Sequence, residues 1–199
     1  MMRDPTAAGH LEVITGCMFA GKTEELLHRL RRAEIAENDT AVFTPAIDDR
    51  YGTHQIGTHN GRTWEATVVD VDKAGMRVIK DEAAEADVVA IDEGNFFDGT
   101  LVETVQELAD NGKRVIISGI DQTFRGTPFE PMHRVMAVAD DVDKLSAVCE
   151  HCNGQATRNQ RLIEGEPAPA DAPTIQVAGE EAYEARCRQC HNVPSPEER

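Results

Sequence analysis

Gly16-Cys17-Met18-Phe19-Ala20-Gly21-Lys22-Thr23 fits the pattern G-x-x-x-x-G-K-[ST], and the rest of the chain is read outward from it. Its glycines let the backbone curl so that successive N–H groups point inward, and a following helix offers its electropositive N-terminus to an anion. A triphosphate fits such a cradle. Lys22 then reaches the outer phosphates as a point charge, and the Thr23 hydroxyl ligates the magnesium that bridges them. So short a pattern also occurs in Gly-rich structural turns, so the reading requires a strand before it and a helix after it. Both are present: Leu11, Val13 and Ile14 lie just upstream, and Leu26, Leu27, Leu30 and Ala33 fall on one helical face downstream.

The 199 residues suffice for one domain with an appendage, and 40% of them are hydrophobic. No apolar run reaches the length of a membrane span, and the opening Met-Met-Arg-Asp-Pro-Thr lacks the apolar core of a secretory signal, so the expectation is a cytoplasmic protein without membrane contact. The formal net charge of −16 repels polyanions and argues against a nucleic-acid partner. Arginine outnumbers lysine about threefold, a balance that suits solubility in concentrated salt, though an ordinary acidic enzyme has a similar composition.

Residues 40–44 read as a second buried strand ending at Pro45, and strand, helix, strand implies a parallel sheet. Residues 46–61 are polar and form a long loop, in which Arg50 is either a phosphate contact or a solvated arginine. Strand-like residues 65–71 and helix-like residues 72–85 lead to the apolar run 87–91, which ends in Asp92-Glu93. An apolar strand ending in Asp delivers a carboxylate to the carboxyl edge of a parallel sheet, beside the phosphate loop, where it can hold magnesium. Glu93 points elsewhere, toward the group that attacks the terminal phosphate, unless it is merely solvated at a helix start.

Of Phe96 and Phe97 one belongs to the core and the other to a pocket. A further helix carries Leu101, Val105 and Leu108, and 114–120 is another buried strand. The loop 121–129 after it holds Phe124 and Phe129, which either receive a flat apolar group or plug the space beneath the loop. Cys149-Glu-His-Cys152 and Cys187-Arg-Gln-Cys190 form two C-x-x-C knuckles, a tetrahedral zinc signature whose four thiolates leave no open position and so mark a structural ion. His191 stands as an alternative to Cys190. Cys17 reads as a small filler. Between the knuckles, 165–173 is rich in Pro and Ala and reads as a flexible excursion.

These stations, in this order and spacing, resemble the thymidine kinases of the small, zinc-containing class (type II) over nearly the whole chain. The resemblance implies an α/β fold, a P-loop (RecA-like) parallel sheet flanked by helices over 1–145, with a small zinc-binding domain carrying a lasso loop over 146–199. It implies γ-phosphate transfer from ATP to the 5′-hydroxyl of thymidine, with Mg2+ at the reaction centre and structural Zn2+ on Cys149, Cys152, Cys187 and Cys190. Glu93 matches the general base. Residues 16–23, Asp92, Gly94, Asn95 and Arg50 match the nucleotide side, and Met18, Phe96, Ile120, Phe124, Phe129, Asn159 and Tyr183 the nucleoside side. A homotetramer and feedback inhibition by dTTP are implied as well. The chain departs from the family pattern with Cys17 and Ala20 for Pro and Ser, Asn95 for Gln, Asn159 for Thr and Ala178 for Gly. Two other classes share parts of the pattern: a P-loop ATPase or motor, and a zinc-ribbon module for nucleic acid.

Overall fold

Strand β1 (His10–Gly16) is apolar on both faces and buried along nearly all its length, which makes it a central strand of a parallel sheet. The computed structural model describes residues 9–46, 54–57, 61–174 and 182–195. Helix α1 (Lys22–Ile35) follows the phosphate loop, with Glu24 and Glu25 in its first turn and Arg32 in its last to complement the helix dipole. The chain continues through β2 (Thr40–Pro45), the short strands β3 (Gln55–Gly57), β4 (Thr63–Glu65) and β5 (Thr67–Val69), α2 (Lys73–Glu82) and β6 (Val88–Ile91). Helix α2 is capped by the Asp72 carboxylate, which accepts from the N–H groups of Ala74 and Gly75. Then come α3 (Thr100–Asp110), β7 (Arg114–Gly119), α4 (Met132–Val138) and β8 (Asp141–Leu145). Among the described residues six strands form one sheet in the order β5-β2-β6-β7-β1-β8, parallel at every pairing.

The two-residue period of the strands sorts their side chains into two cores. Leu11, Val13, Val89, Ile91, Val115 and Ile117 face the side covered by α2, α3 and α4. Ile14, Val88, Ala90 and Ile116 face α1, whose Leu26, Leu27, Leu30 and Ala33 close that side. Helices on both faces leave only the strand ends open, and the loops after β1, β6 and β7 emerge at the same carboxyl edge.

Beyond the sheet, β9 (Ala147–Val148) pairs with β10 (Gln155–Ala156), and β11 (Arg158–Ile163) lies between β12 (Glu166–Pro167) and β13 (Tyr183–Arg186). Two stretches differ from the sequence reading, and a third, after Pro131, carries no assignment in it. The loop 46–61 contributes β3, which pairs with β4 and buries Ile56. The segment after Pro131 is an α-helix followed by β8, an edge strand whose residues are mostly exposed and charged. The stretch 165–173 is not a free excursion: it pairs with β11 at Pro167 and buries Ala168 and Ala172.

Glu12, on the α1 side of β1 and only 8% exposed, is the one acid set deep in this sheet among the described residues. It accepts from Arg114 Nε and Nη2 at 2.6 and 3.0 Å and from Arg29 Nη1 at 2.8 Å, joining β1, β7 and α1. Removing Glu12 takes from Arg114 this buried partner and leaves Arg29 only Glu25 and Asp143, both nearer the solvent. Glu12→Ala should therefore lower the unfolding free energy by about 2–3 kcal/mol in chemical denaturation. Glu25→Ala, which removes a partly exposed pair with Arg29, should cost under about 1 kcal/mol; equal losses for the two would contradict this ranking.

Candidate active site

The phosphate loop begins at Gly16, where a Cβ would lie 2.4 Å from the Leu145 carbonyl oxygen, and ends at Gly21, whose φ of 83° a side chain would oppose. Lys22 Nζ donates to the Cys17 carbonyl at 3.0 Å, so the lysine lies along the loop it serves. Thr23 occupies the first turn of α1. Met18 N–H donates to Asn159 Oδ1 at 2.7 Å, and Asn159 Nδ2 donates to the Gln122 carbonyl at 2.9 Å. Asn159 thus ties the phosphate loop to the loop after β7. Cys17 is fully buried and packs with Cys149, Ala156 and Ala185, while Phe19 is exposed and Met18 and Ala20 partly so.

At the end of β6, Asp92 is 7% exposed and accepts three hydrogen bonds. The donors are Ser118 Oγ, the Glu93 N–H at 3.0 Å and Thr23 Oγ1 at 3.4 Å. Burial pushes its carboxyl up from 3.8 to about 6, with the neighbouring Glu93 charge acting in the same direction; the hydrogen bonds and Lys22 act against it. Glu93 is partly exposed and sits in the left-handed region at φ 50°, heading a 3₁₀ turn over Gly94–Phe96. That turn splits the phenylalanines, leaving Phe97 in the core and Phe96 partly exposed. Asn95 is buried, and its Oδ1 accepts from the Ile120 N–H at 2.9 Å, fixing the exit of β7 to the acid turn. Gly94 is buried beside it, and Ile120 is partly exposed.

The loop after β7 closes on itself through Thr123 Oγ1 and Thr127 Oγ1, 2.7 Å apart, and through Phe129 N–H to the Asp121 carbonyl at 3.0 Å. Phe124 is buried against Ala168 and Ala172, with Tyr183 packed alongside, and Phe129 is partly exposed. Arg50 and Ala178 lie outside the described residues. The sequence reading did not single out Ser118, which donates to Asp92; its only sequence signal is a small hydroxyl near the end of an apolar strand. Nor did it single out Arg125 and Arg161, which bracket Phe124.

The Sγ atoms of Cys149, Cys152, Cys187 and Cys190 all lie within 4.8 Å of one another, and those of Cys152 and Cys187 are 3.7 Å apart. Zn–S bonds of about 2.3 Å in a tetrahedron require sulfurs about 3.8 Å apart, so these residues fit zinc. Hydrogen bonding with Cys187 and Cys152 pushes the Cys190 thiol up to about 12. Cys149 is instead drawn down to about 6, because N–H groups of Cys187, Cys152 and His151 outweigh its desolvation. His191 is occupied elsewhere: its Nε2 lies 2.8 Å from the Phe124 carbonyl oxygen.

The sequence profile of the family described as "Thymidine kinase" matches residues 9–191. This chain belongs to the thymidine kinase family. The thymidine kinase of Halobacterium salinarum is 60% identical over 94% of this chain and 96% of its own, and that of Haloquadratum walsbyi is 50% identical over 96% and 98%. The solved structure of the Legionella pneumophila ATPase DotB covers 67% of this chain and 35% of its own at 15% identity and a TM-score of 0.40, a likeness too slight to bear on the site. As a member of the thymidine kinase family the chain is a phosphotransferase that uses ATP, and the motor and nucleic-acid readings lose their ground. No helix among the described residues is long and apolar enough to cross a membrane.

The raised Asp92 carboxyl has a consequence for stability. Between about pH 4 and pH 6 the folded protein holds a proton that the unfolded chain has lost, so its stability falls as pH rises through this window and levels off above about 6. Asp92→Asn, measured without nucleotide or magnesium, should remove that slope and be more stable than the wild type above pH 6, by on the order of 1–3 kcal/mol. A less stable variant across pH 6–8 would show that the hydrogen bonds outweigh the burial.

Proposed function

We propose that the chain transfers the γ-phosphate of ATP to the 5′-hydroxyl of thymidine, giving dTMP and ADP, with Glu93 as the base. The observation that carries this reading is the meeting of the β6 acids with the start of α1, where Asp92 and Thr23 share a hydrogen bond. The N–H groups of residues 16–23 cradle the phosphates, and Lys22 turns from the Cys17 carbonyl to the outer ones. Thr23 and Asp92 are the oxygen pair that would hold magnesium, which when bound neutralises charge on the phosphate oxygens. Gly94 and Asn95 hold the acid turn in place, and Arg50 is assigned to the transferring phosphate by resemblance.

Glu93 takes the proton from the 5′-hydroxyl as that oxygen bonds to the γ-phosphorus; the bond from phosphorus to the bridging oxygen breaks and ADP leaves. Positioning and charge neutralisation supply most of the acceleration, and the base adds about 10² to 10⁴ in rate. Met18, Phe96, Ile120, Phe124, Phe129, Asn159 and Tyr183 surround the thymine ring in this proposal, the first five from the ATP-binding domain of residues 1–145 and the last two from the zinc-binding domain of residues 146–199, whose lasso loop closes over the nucleoside. Asn159 already joins the Met18 N–H to the Gln122 carbonyl, so its contribution is to hold the two sides of the pocket together. A cytoplasmic homotetramer inhibited by dTTP completes the reading, on the strength of the family resemblance.

Glu93→Gln keeps the shape and removes the base. It should bind ATP and zinc and lose at least about a hundredfold in kcat, measured by coupled ADP release; near-normal turnover would take Glu93 out of this role. Zinc is assigned a structural part, since Cys149 shares a buried cluster with Cys17 of the phosphate loop and His191 follows Cys190 to the Phe124 carbonyl. Chelation should lower the melting temperature and weaken thymidine binding in calorimetry, and full activity in a folded, demonstrably metal-free protein would refute that part.

A further inference from the structure

Prolines at 167, 169 and 173 remove backbone donors from the stretch that follows β12, so once the Ala168 N–H has met the Arg161 carbonyl at 2.9 Å the sheet pairing ends, and the carbonyls beyond it need donors from elsewhere. Arg125 supplies them. Its Nε donates to the Ala170 carbonyl at 2.6 Å, Nη2 to the Ala172 carbonyl, and Nη1 to Thr174 Oγ1 at 2.8 Å. Arg161 Nη1 donates to the Pro173 carbonyl at 2.5 Å. The same two guanidiniums lie against the ring of Phe124, with their Cζ atoms 4.4 and 5.5 Å from its centroid. Phe124 is 3% exposed, and its carbonyl is held by His191. A planar guanidinium can stack on a ring while its edge donors reach several carbonyls, and an ammonium cannot.

From this arrangement we infer that Arg125 is a positioning residue for the nucleoside, fixing the 170–174 stretch and the Phe124 ring as one preformed wall. The inference rests on the proposal that Phe124 lines the thymine pocket. Arg125 touches neither the acids nor the phosphate loop in any contact described above, so its effect belongs to nucleoside binding. With the wall already ordered, thymidine binds without the cost of ordering it.

Steady-state kinetics with thymidine and ATP varied separately test the inference on Arg125→Ala, Arg125→Lys, Thr174→Val, Phe124→Leu and the double variant Phe124→Leu/Arg125→Ala. Each is first checked for an unfolding midpoint near that of the wild type. Arg125→Ala should raise the KM for thymidine about tenfold and leave that for ATP within about twofold, with kcat little changed. Arg125→Lys should recover only part, because one ammonium cannot span three acceptors. In the Phe124→Leu background the Arg125→Ala effect should shrink to about twofold, since the two act as a unit. Thr174→Val removes a single exposed contact and should raise the thymidine KM about two- to threefold; it decides the matter if the Arg125 variants do not fold. If Phe124→Leu weakens thymidine binding while Arg125→Ala and Thr174→Val do not, the wall stands and the positioning role is overturned. If Phe124→Leu itself leaves the thymidine KM unchanged, the pocket assignment fails and takes this inference with it.

Discussion

A carboxylate taken out of water at the end of a buried strand must find donors, and Asp92 finds them on three different elements. Ser118 comes from β7, the Glu93 N–H from the turn after β6, and the Thr23 hydroxyl from the first turn of α1. The sheet order fixes this meeting, because β7 lies between β6 and β1 and all three strands run the same way. The arrangement binds the nucleotide side together and yet stays incompletely compensated, since burial still pushes the carboxyl up to about 6. A cation held by Asp92 and Thr23, as in the proposed function, would offset that charge, and the site would then be built for a charged ligand and not for maximal stability.

The second half of the site is fastened to the first through polar side chains in the interior. Arg158, Asn159, Gln160 and Arg161 are consecutive on β11 and all are under 9% exposed. Each meets a loop: Arg158 through Gln122 and Gly126, Asn159 through Met18 and Gln122, Gln160 through Asn192, and Arg161 through Pro173, with the Arg161 Nε left unpartnered. Buried polar groups with such partners hold neighbouring loops in one geometry, and here those loops are the phosphate loop, the loop after β7 and the Pro-Ala stretch. The cysteine knuckles close the far end, where Cys149 and Cys17 belong to one small buried cluster with Ala156 and Ala185.

The same chemistry explains what could be read from the sequence. The phosphate loop, the central strands, the acid pair and the knuckles carry strong local signals: glycine spacing, apolar runs and paired cysteines. Strand β8 carries none, because Asp-Val-Asp-Lys-Leu is an edge whose side chains mostly meet solvent, so neither alternation nor apolar run marks it. Strand β11 reads as polar surface and is interior, since its burial is made tolerable by partners distant in sequence. The Pro-Ala stretch suggests flexibility for a sound reason, the loss of backbone donors, but the sequence does not reveal that Arg125 and Arg161 replace them. Ser118 is hidden in the same way, its importance arising only when β6 lies alongside β7.

In the proposed function the phosphate loop and the β6 acids serve transfer to an alcohol and not to water. Following ADP formation with ATP and magnesium, with and without thymidine, while quantifying nucleotide products by chromatography, tests this most directly. The account predicts one dTMP for each ADP and almost no ADP when thymidine is left out. ADP released at the same rate without the nucleoside, with free phosphate as its counterpart, would contradict it.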